Sequence, residues 1–134
     1  MKTIFTRLSL IAGLWLALAS AHAQSSGDQF GGVRSAIANG SSHDLAQYLA
    51  PSVEVGFDGD KQTYNAAQAE LVLRNFFAKN GGSSFDIKHQ GASNDHIPYV
   101  VGSYSGRSGT YRVFIKLKAN QRSPQIDTLD FTKE

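Results

Sequence analysis

The sequence predicts an α+β domain in which helices pack on one side of a curved antiparallel sheet, and three observations carry that prediction. Apolar residues recur at helical spacing in three segments between residues 30 and 77. A period-two stretch, Val53, Val55 and Phe57, stands between the second and third of them. The chain beyond residue 82 then reads as four extended segments separated by turn-forming clusters.

Residues 1–23 read as a secretory signal peptide, because Lys2 and Arg7 lead into an apolar stretch from Leu8 to Ala19 and Ala21-His22-Ala23 supplies a small-x-small cleavage pattern. The apolar stretch runs about a dozen residues, whereas a bilayer span needs roughly 20. No cysteine follows it for lipid attachment. The working chain is expected to be 24–134, a single domain released into the periplasm or secreted without a stable membrane anchor. Loss of Lys2 and Arg7 takes the 13 basic residues to 11, equal to the 11 acidic ones. A neutral domain lacks the clustered cations that nucleic acid or an anionic membrane demands, so neither is an expected partner. With no cysteine, stability must come from packing, which a domain of this size can supply without disulfide or metal.

The elements follow in order. After a polar lead-in from Gln24 to Asp28, Phe30, Val33 and Ile37 share one face of a helix that Asn39-Gly40 ends. Ser41 and Asp44 make a capping pair for a short second helix carrying Leu45, Tyr48 and Leu49, closed by Pro51. The strand ending at Phe57 turns at Asp58-Gly59-Asp60 into an extended piece reaching Tyr64. Asn65 caps a third helix whose Ala69, Val72, Leu73, Phe76 and Phe77 form the strongest stripe in the chain, and Asn80-Gly81-Gly82 stops it. Four strands complete the domain, Phe85 to His89, Ile97 to Ser105, Tyr111 to Leu117 and Gln125 to Lys133, with hairpin loops at 106–109 and 120–123. Ile126 against Leu129 and Phe131 breaks strict alternation, which points to a bulge near Asp127 or Thr128.

This order, with Tyr64-Asn65-Ala66-Ala67-Gln68-Ala69-Glu70 through Phe76-Phe77 and a later Gly109-Thr110-Tyr111-Arg112-Val113, resembles a small exported bacterial family of unknown function with a nuclear-transport-factor-2-like, or cystatin-like, cone. The resemblance spans nearly all of 24–134 and rests on structural motifs, so it implies a fold and leaves activity open. In such a cone the concave sheet face and the third helix enclose a pocket. Tyr48, Tyr64, Phe77, His89, Tyr99, Tyr111 and Asp127 are the candidates to line it. His89 alternates with Phe85 and Ile87 and brings an imidazole able to donate or accept a proton. Tyr99 and Tyr111 share strand faces with apolar residues and bring hydroxyls that need partners when buried. Tyr48 and Tyr64 stand at helix boundaries, at the expected mouth.

No phosphate loop, dinucleotide fingerprint or nucleophile elbow is present, Asp58-Gly59-Asp60 is too short for a calcium loop, and His89 and His96 lack zinc spacing. No cofactor and no metal are expected. The sequence therefore reads as an exported, non-catalytic binding module holding a small apolar or amphipathic ligand, or a peptide segment, in the cone. One alternative is a homodimer formed through the outer sheet face, where Phe114 lies between Arg112 and Lys116. Another follows from resemblance to ketosteroid isomerase, a catalytic relative of the fold, with Asp58 or Asp127 as base and Tyr111 as donor. A cone filled by its own side chains favours the dimer, and an open one with Asp127 and a tyrosine converging favours the enzyme.

Overall fold

Asn65 launches the longest helix by a reciprocal pair of hydrogen bonds: its side-chain oxygen accepts from the Gln68 amide at 2.8 Å, and Gln68 Oε1 accepts from the Asn65 amide at 3.2 Å. Two donors that the first helical turn cannot use are satisfied at once. This helix, α3 in chain order, runs Ala66–Asn80 and ends at Gly81, whose φ of 41° suits glycine and whose amide donates to the Phe77 carbonyl. The computed structural model describes residues 29–81 and 84–134. The expected signal peptide with its cleavage point, the expected lead-in to Asp28 and Gly82 lie outside the described residues.

The other elements are α1 (Gly31–Ala38), α2 (Ser42–Ala46), β1 (Leu49–Phe57), β2 (Asp60–Asn65), β3 (Ser84–Ala92), β4 (Pro98–Gly106), β5 (Gly109–Leu117) and β6 (Ile126–Lys133). The strands form one sheet in the order β2-β1-β6-β5-β4-β3. Every pairing is antiparallel except β1 with β6, which run parallel. The C-terminal meander returns its last strand alongside the first, and that parallel seam joins the N-terminal hairpin to the rest of the sheet.

The α2–β1 boundary, the end of β3 at Ala92 and the facing of His89 and Tyr99 differ from the sequence expectation. Ser41 accepts from the Asp44 amide at 3.1 Å as expected, yet α2 stops after a little over one turn, and Leu49 and Pro51 belong to β1. The sheet captures the chain there: the Ile126 amide donates to the Tyr48 carbonyl at 2.6 Å and Leu49 pairs with Ile126. Pro51 is tolerated because the β1–β6 register is interrupted between Leu49 and Glu54 and the β1–β2 ladder starts at Ser52, so no ladder bond asks for its missing N–H. His89 and Tyr99, both expected inside the cone, face outward, Tyr99 opposite Lys116. Ile87 pairs with Gly102 and His89 with Val101, which leaves Lys88 as the extra residue of a bulge, and His89 turns to the side opposite Phe85 and Ile87. The suspected bulge in β6 is present and centred on Asp127, since Lys116 pairs with Thr128 and Leu117 with Ile126.

One core lies between the helices and the sheet. Val33 and Ile37 of α1, Leu45 of α2 and Leu73 of α3 are fully buried against Val100, Val113, Ile115, Leu129 and Phe131 of the sheet. Val72, expected within the same stripe, is only partly covered.

Candidate functional site

Alternation fixes what the two faces of the sheet can offer. Tyr104, Tyr111, Val113, Ile115, Leu129 and Phe131 point toward the helices, and α3 lowers Phe76 and Phe77 onto them. The Phe76 ring lies 4.4 Å from Phe131, 5.1 Å from Phe57, 5.2 Å from Tyr111 and 5.8 Å from Tyr104, centroid to centroid. These separations are those of packed aromatic pairs and leave no place for a second molecule among them. The rings of Phe57, Phe76, Tyr104, Tyr111 and Phe131 pack on one another inside the cone. Beside it remains an open hollow of about 260 Å³ lined by Phe57, Val72, Asn75, Phe76 and Lys79.

Two polar side chains within this interior, Tyr111 and Asn80, are satisfied. The Tyr111 hydroxyl donates to Asn80 Oδ1 at 3.3 Å, and Asn80 Nδ2 donates to the Phe76 carbonyl at 2.9 Å. Tyr104 is fully buried, and its hydroxyl has no hydrogen-bond partner among the described residues. Burial, and secondarily the neighbouring Tyr111, raises its ionisation above the usual phenol value of 10.0. The sign follows from proton counts. Above about pH 10 the unfolded chain releases this proton while the folded chain holds it, so the contribution is intact below pH 10 and is lost as pH rises toward the folded value. Tyr104→Phe is expected to raise stability by about 1 kcal/mol at neutral pH, since an unpartnered buried hydroxyl disappears. Its advantage over wild type should widen above about pH 10. Urea unfolding of both proteins at neutral and alkaline pH checks this, and a destabilised variant would show that the hydroxyl is satisfied.

The opposite face carries the charges. Across β3 to β6 the outward residues form rows: His89, Val101, Phe114 and Asp130 in one, Tyr99, Lys116 and Thr128 in the next, Ser103, Arg112 and Thr132 in a third. His89 Nε2 and the Tyr99 hydroxyl are 3.1 Å apart, and the Tyr99 and Phe114 rings are 6.0 Å apart. Lys61 Nζ lies 3.5 Å from Asp130 Oδ2, and Lys116 Nζ lies 3.3 Å from Asp127 Oδ2. A cleft of about 390 Å³ opens on this face, lined by Gly59, Lys61, Val101, Arg112, Phe114, Asp130 and Thr132.

The residues singled out from sequence therefore fall into separate places. Phe77 and Tyr111 lie in the packed interior, Tyr48 covers Gly32 of α1, and Tyr64 donates to Gln62 Oε1 at 3.2 Å on β2. His89, Tyr99, Asp127, Arg112, Phe114 and Lys116 share the outer face. Asp58 sits in the β1–β2 turn, where its Oδ1 accepts from the Lys133 amide at 2.7 Å. Neither Asp58 nor Asp127 meets Tyr111, which is on the helix side of the sheet. Val101, Asp130 and Thr132 of the cleft were readable from strand alternation and the β4–β5–β6 meander, whereas Gly59 and Lys61 reach it only through the parallel seam. Among the described residues no group of His, Cys, Asp and Glu could hold a metal ion, and no helix is long and apolar enough to cross a membrane.

Helices laid on one face of a curved sheet that ends in a long meander define the nuclear-transport-factor-2-like, or cystatin-like, class of α+β cones. A nuclear-transport-factor-2-like protein of unknown function from Burkholderia xenovorans superimposes with a TM-score of 0.58 at 8% identity, over 80% of this chain and 82% of that one. A hypothetical protein with a ketosteroid isomerase-like fold from Catenulispora acidiphila superimposes with 0.61 at 11% identity, over 80% and 85%. Identities this low establish the shared fold alone. The chain belongs to the family described as domain of unknown function DUF4783, whose profile matches residues 30–132. A DUF4783 protein from Bacteroides ovatus is 31% identical, with a TM-score of 0.72, over 77% of this chain and 93% of that one. No curated protein matches the chain.

Proposed function

We propose that this protein is an exported, non-catalytic binding module that takes a small amphipathic ligand on the open face of its sheet rather than inside the cone. The cleft on the outer face carries the reading, while the rings of Phe57, Phe76, Tyr104, Tyr111 and Phe131 pack on one another where a cone of this class would hold a guest. The cleft on the other face falls in the range of about 300–1,000 Å³ usual for small-molecule sites. It also has the right mixture, an apolar floor of Phe114 and Val101 with a few placed charges at its walls. Export rests on the basic, apolar and small-residue order of residues 1–23. The absence of catalysis rests on the carboxylates: Asp58 is engaged by a backbone amide, and Asp127 is paired with Lys116 on the face away from Tyr111.

Native mass spectrometry of protein purified from its own cell envelope tests this directly. The wild type is expected to begin at Gln24 and to carry a small molecule that Phe114→Ala no longer retains. A bare mass for both proteins would remove the binding reading, and an intact N-terminus would remove export.

A homodimer is the second reading, favoured by the rings packed inside the cone and by the mixed signs of the outer face. Lys61, Arg112 and Lys116 are interspersed with Asp86, Asp127 and Asp130, so the surface complements a second copy of itself better than it does a partner of one charge. Sedimentation should then show a dimer for wild type and a monomer for Phe114→Asp. Monomers in both cases would dispose of it.

A further inference from the structure

We infer that the polar end of the ligand is a carboxylate received by Arg112, with an apolar body lying over Phe114 and Val101; this rests on the binding reading above. The cations of the face are not equivalent. Lys61 has the Asp130 carboxylate at 3.5 Å and Lys116 has the Asp127 carboxylate at 3.3 Å. The Arg112 guanidinium, exposed on β5, has no ion-pair or hydrogen-bond partner among the described residues.

Asp130 lines the same cleft but is held toward β1. Its Oδ1 is buried against Gly56, where any Cβ would collide with it, and its Oδ2 faces Lys61 across the parallel seam. Glycine at 56 thus lets the one acid in the cleft lean onto the neighbouring strand. The lining is left with one uncompensated positive charge, at Arg112, which pairs with Ser103 on one side and Thr132 on the other in the strand register. A planar fork of donors beside a threonine hydroxyl, above an aromatic and a valine, matches a carboxylate attached to an apolar group. A phosphate or a polyanion would find one free cation where it needs several.

The carboxylate can belong to a free acid or to the C-terminal residue of a peptide, and the test separates them. Amide NMR of the mature chain is titrated with hydrocinnamate, hydrocinnamide, the peptide Gly-Gly-Phe and its C-terminal amide. For wild type, each acid is expected to bind at least about 10-fold more tightly than its amide, with shifts centred on Val101, Phe114 and Thr132. In Arg112→Gln that preference should fall to about one, and Arg112→Lys should keep part of it. The tighter of the two acids identifies the source. Equal binding of acid and amide by wild type would overturn the carboxylate assignment and leave the binding module standing. Silence of the cleft toward all four probes, in a protein that sediments as a dimer through Phe114, would overturn both.

Discussion

Replacing Phe76 with alanine is expected to cost about 3–5 kcal/mol of folding stability, the largest single loss in the domain. The ring stands where α3 meets β1, β4, β5 and β6, within packing distance of Phe57, Tyr104, Tyr111 and Phe131, and only 9% of it remains exposed. Alanine keeps the helix and removes the ring, so the loss is transfer energy plus the void left among neighbours too rigid to close it. The melting temperature should fall by about 15–25 °C. Phe76→Leu, which refills much of the volume, should recover more than half of that. Differential scanning calorimetry of the three proteins measures it, and a loss below about 1 kcal/mol for alanine would mean that α3 does not rest on the meander.

Gly102→Val should be the second most damaging change, at about 3 kcal/mol, although valine is the better strand former by propensity. A Cβ at this position would stand 2.6 Å from the Phe85 ring and 2.7 Å from the Asp86 carbonyl oxygen. The ring can rotate away at some cost. The carbonyl cannot, because it belongs to β3 in register with β4, Asp86 opposite Ser103 and Ile87 opposite Gly102. Glycine here admits Phe85 against the backbone of β4, and any side chain wedges the edge strand outward. Urea unfolding should show a lowered midpoint, with hydrogen exchange accelerated first in β3. A wild-type midpoint would show that β3 shifts freely.

What was legible in the sequence was whatever a single element decides for itself. Asn65 and the Ala69–Phe77 stripe announced α3, the alternation around Tyr111 announced β5, and the broken alternation at Ile126 announced the bulge at Asp127. What depends on a distant partner was not. Leu49 has helical spacing to Leu45 and goes to the sheet because Ile126 is waiting for it. His89 keeps perfect alternation with Phe85 and Ile87, and only pairing with β4 shows that Lys88 is the residue left over. The cleft divides in the same way: Arg112 and Phe114 were on one face by period two and Asp130 joins them through the β5–β6 ladder, while Lys61 and Gly59 needed the β1–β6 seam to arrive beside them. Placing the pocket inside the cone followed from the class of fold, and alternation alone could not show that large rings at 57, 76, 104, 111 and 131 would pack on one another there.

Diffraction from crystals held under xenon gas tests that occupancy most directly, because xenon enters dry apolar cavities. The wild-type protein should show no xenon among Phe76, Tyr104, Tyr111 and Phe131, while Phe76→Ala, whose lost ring leaves a void there, should show one site. A xenon peak among those four residues in the wild type would contradict the account and return the ligand to the cone.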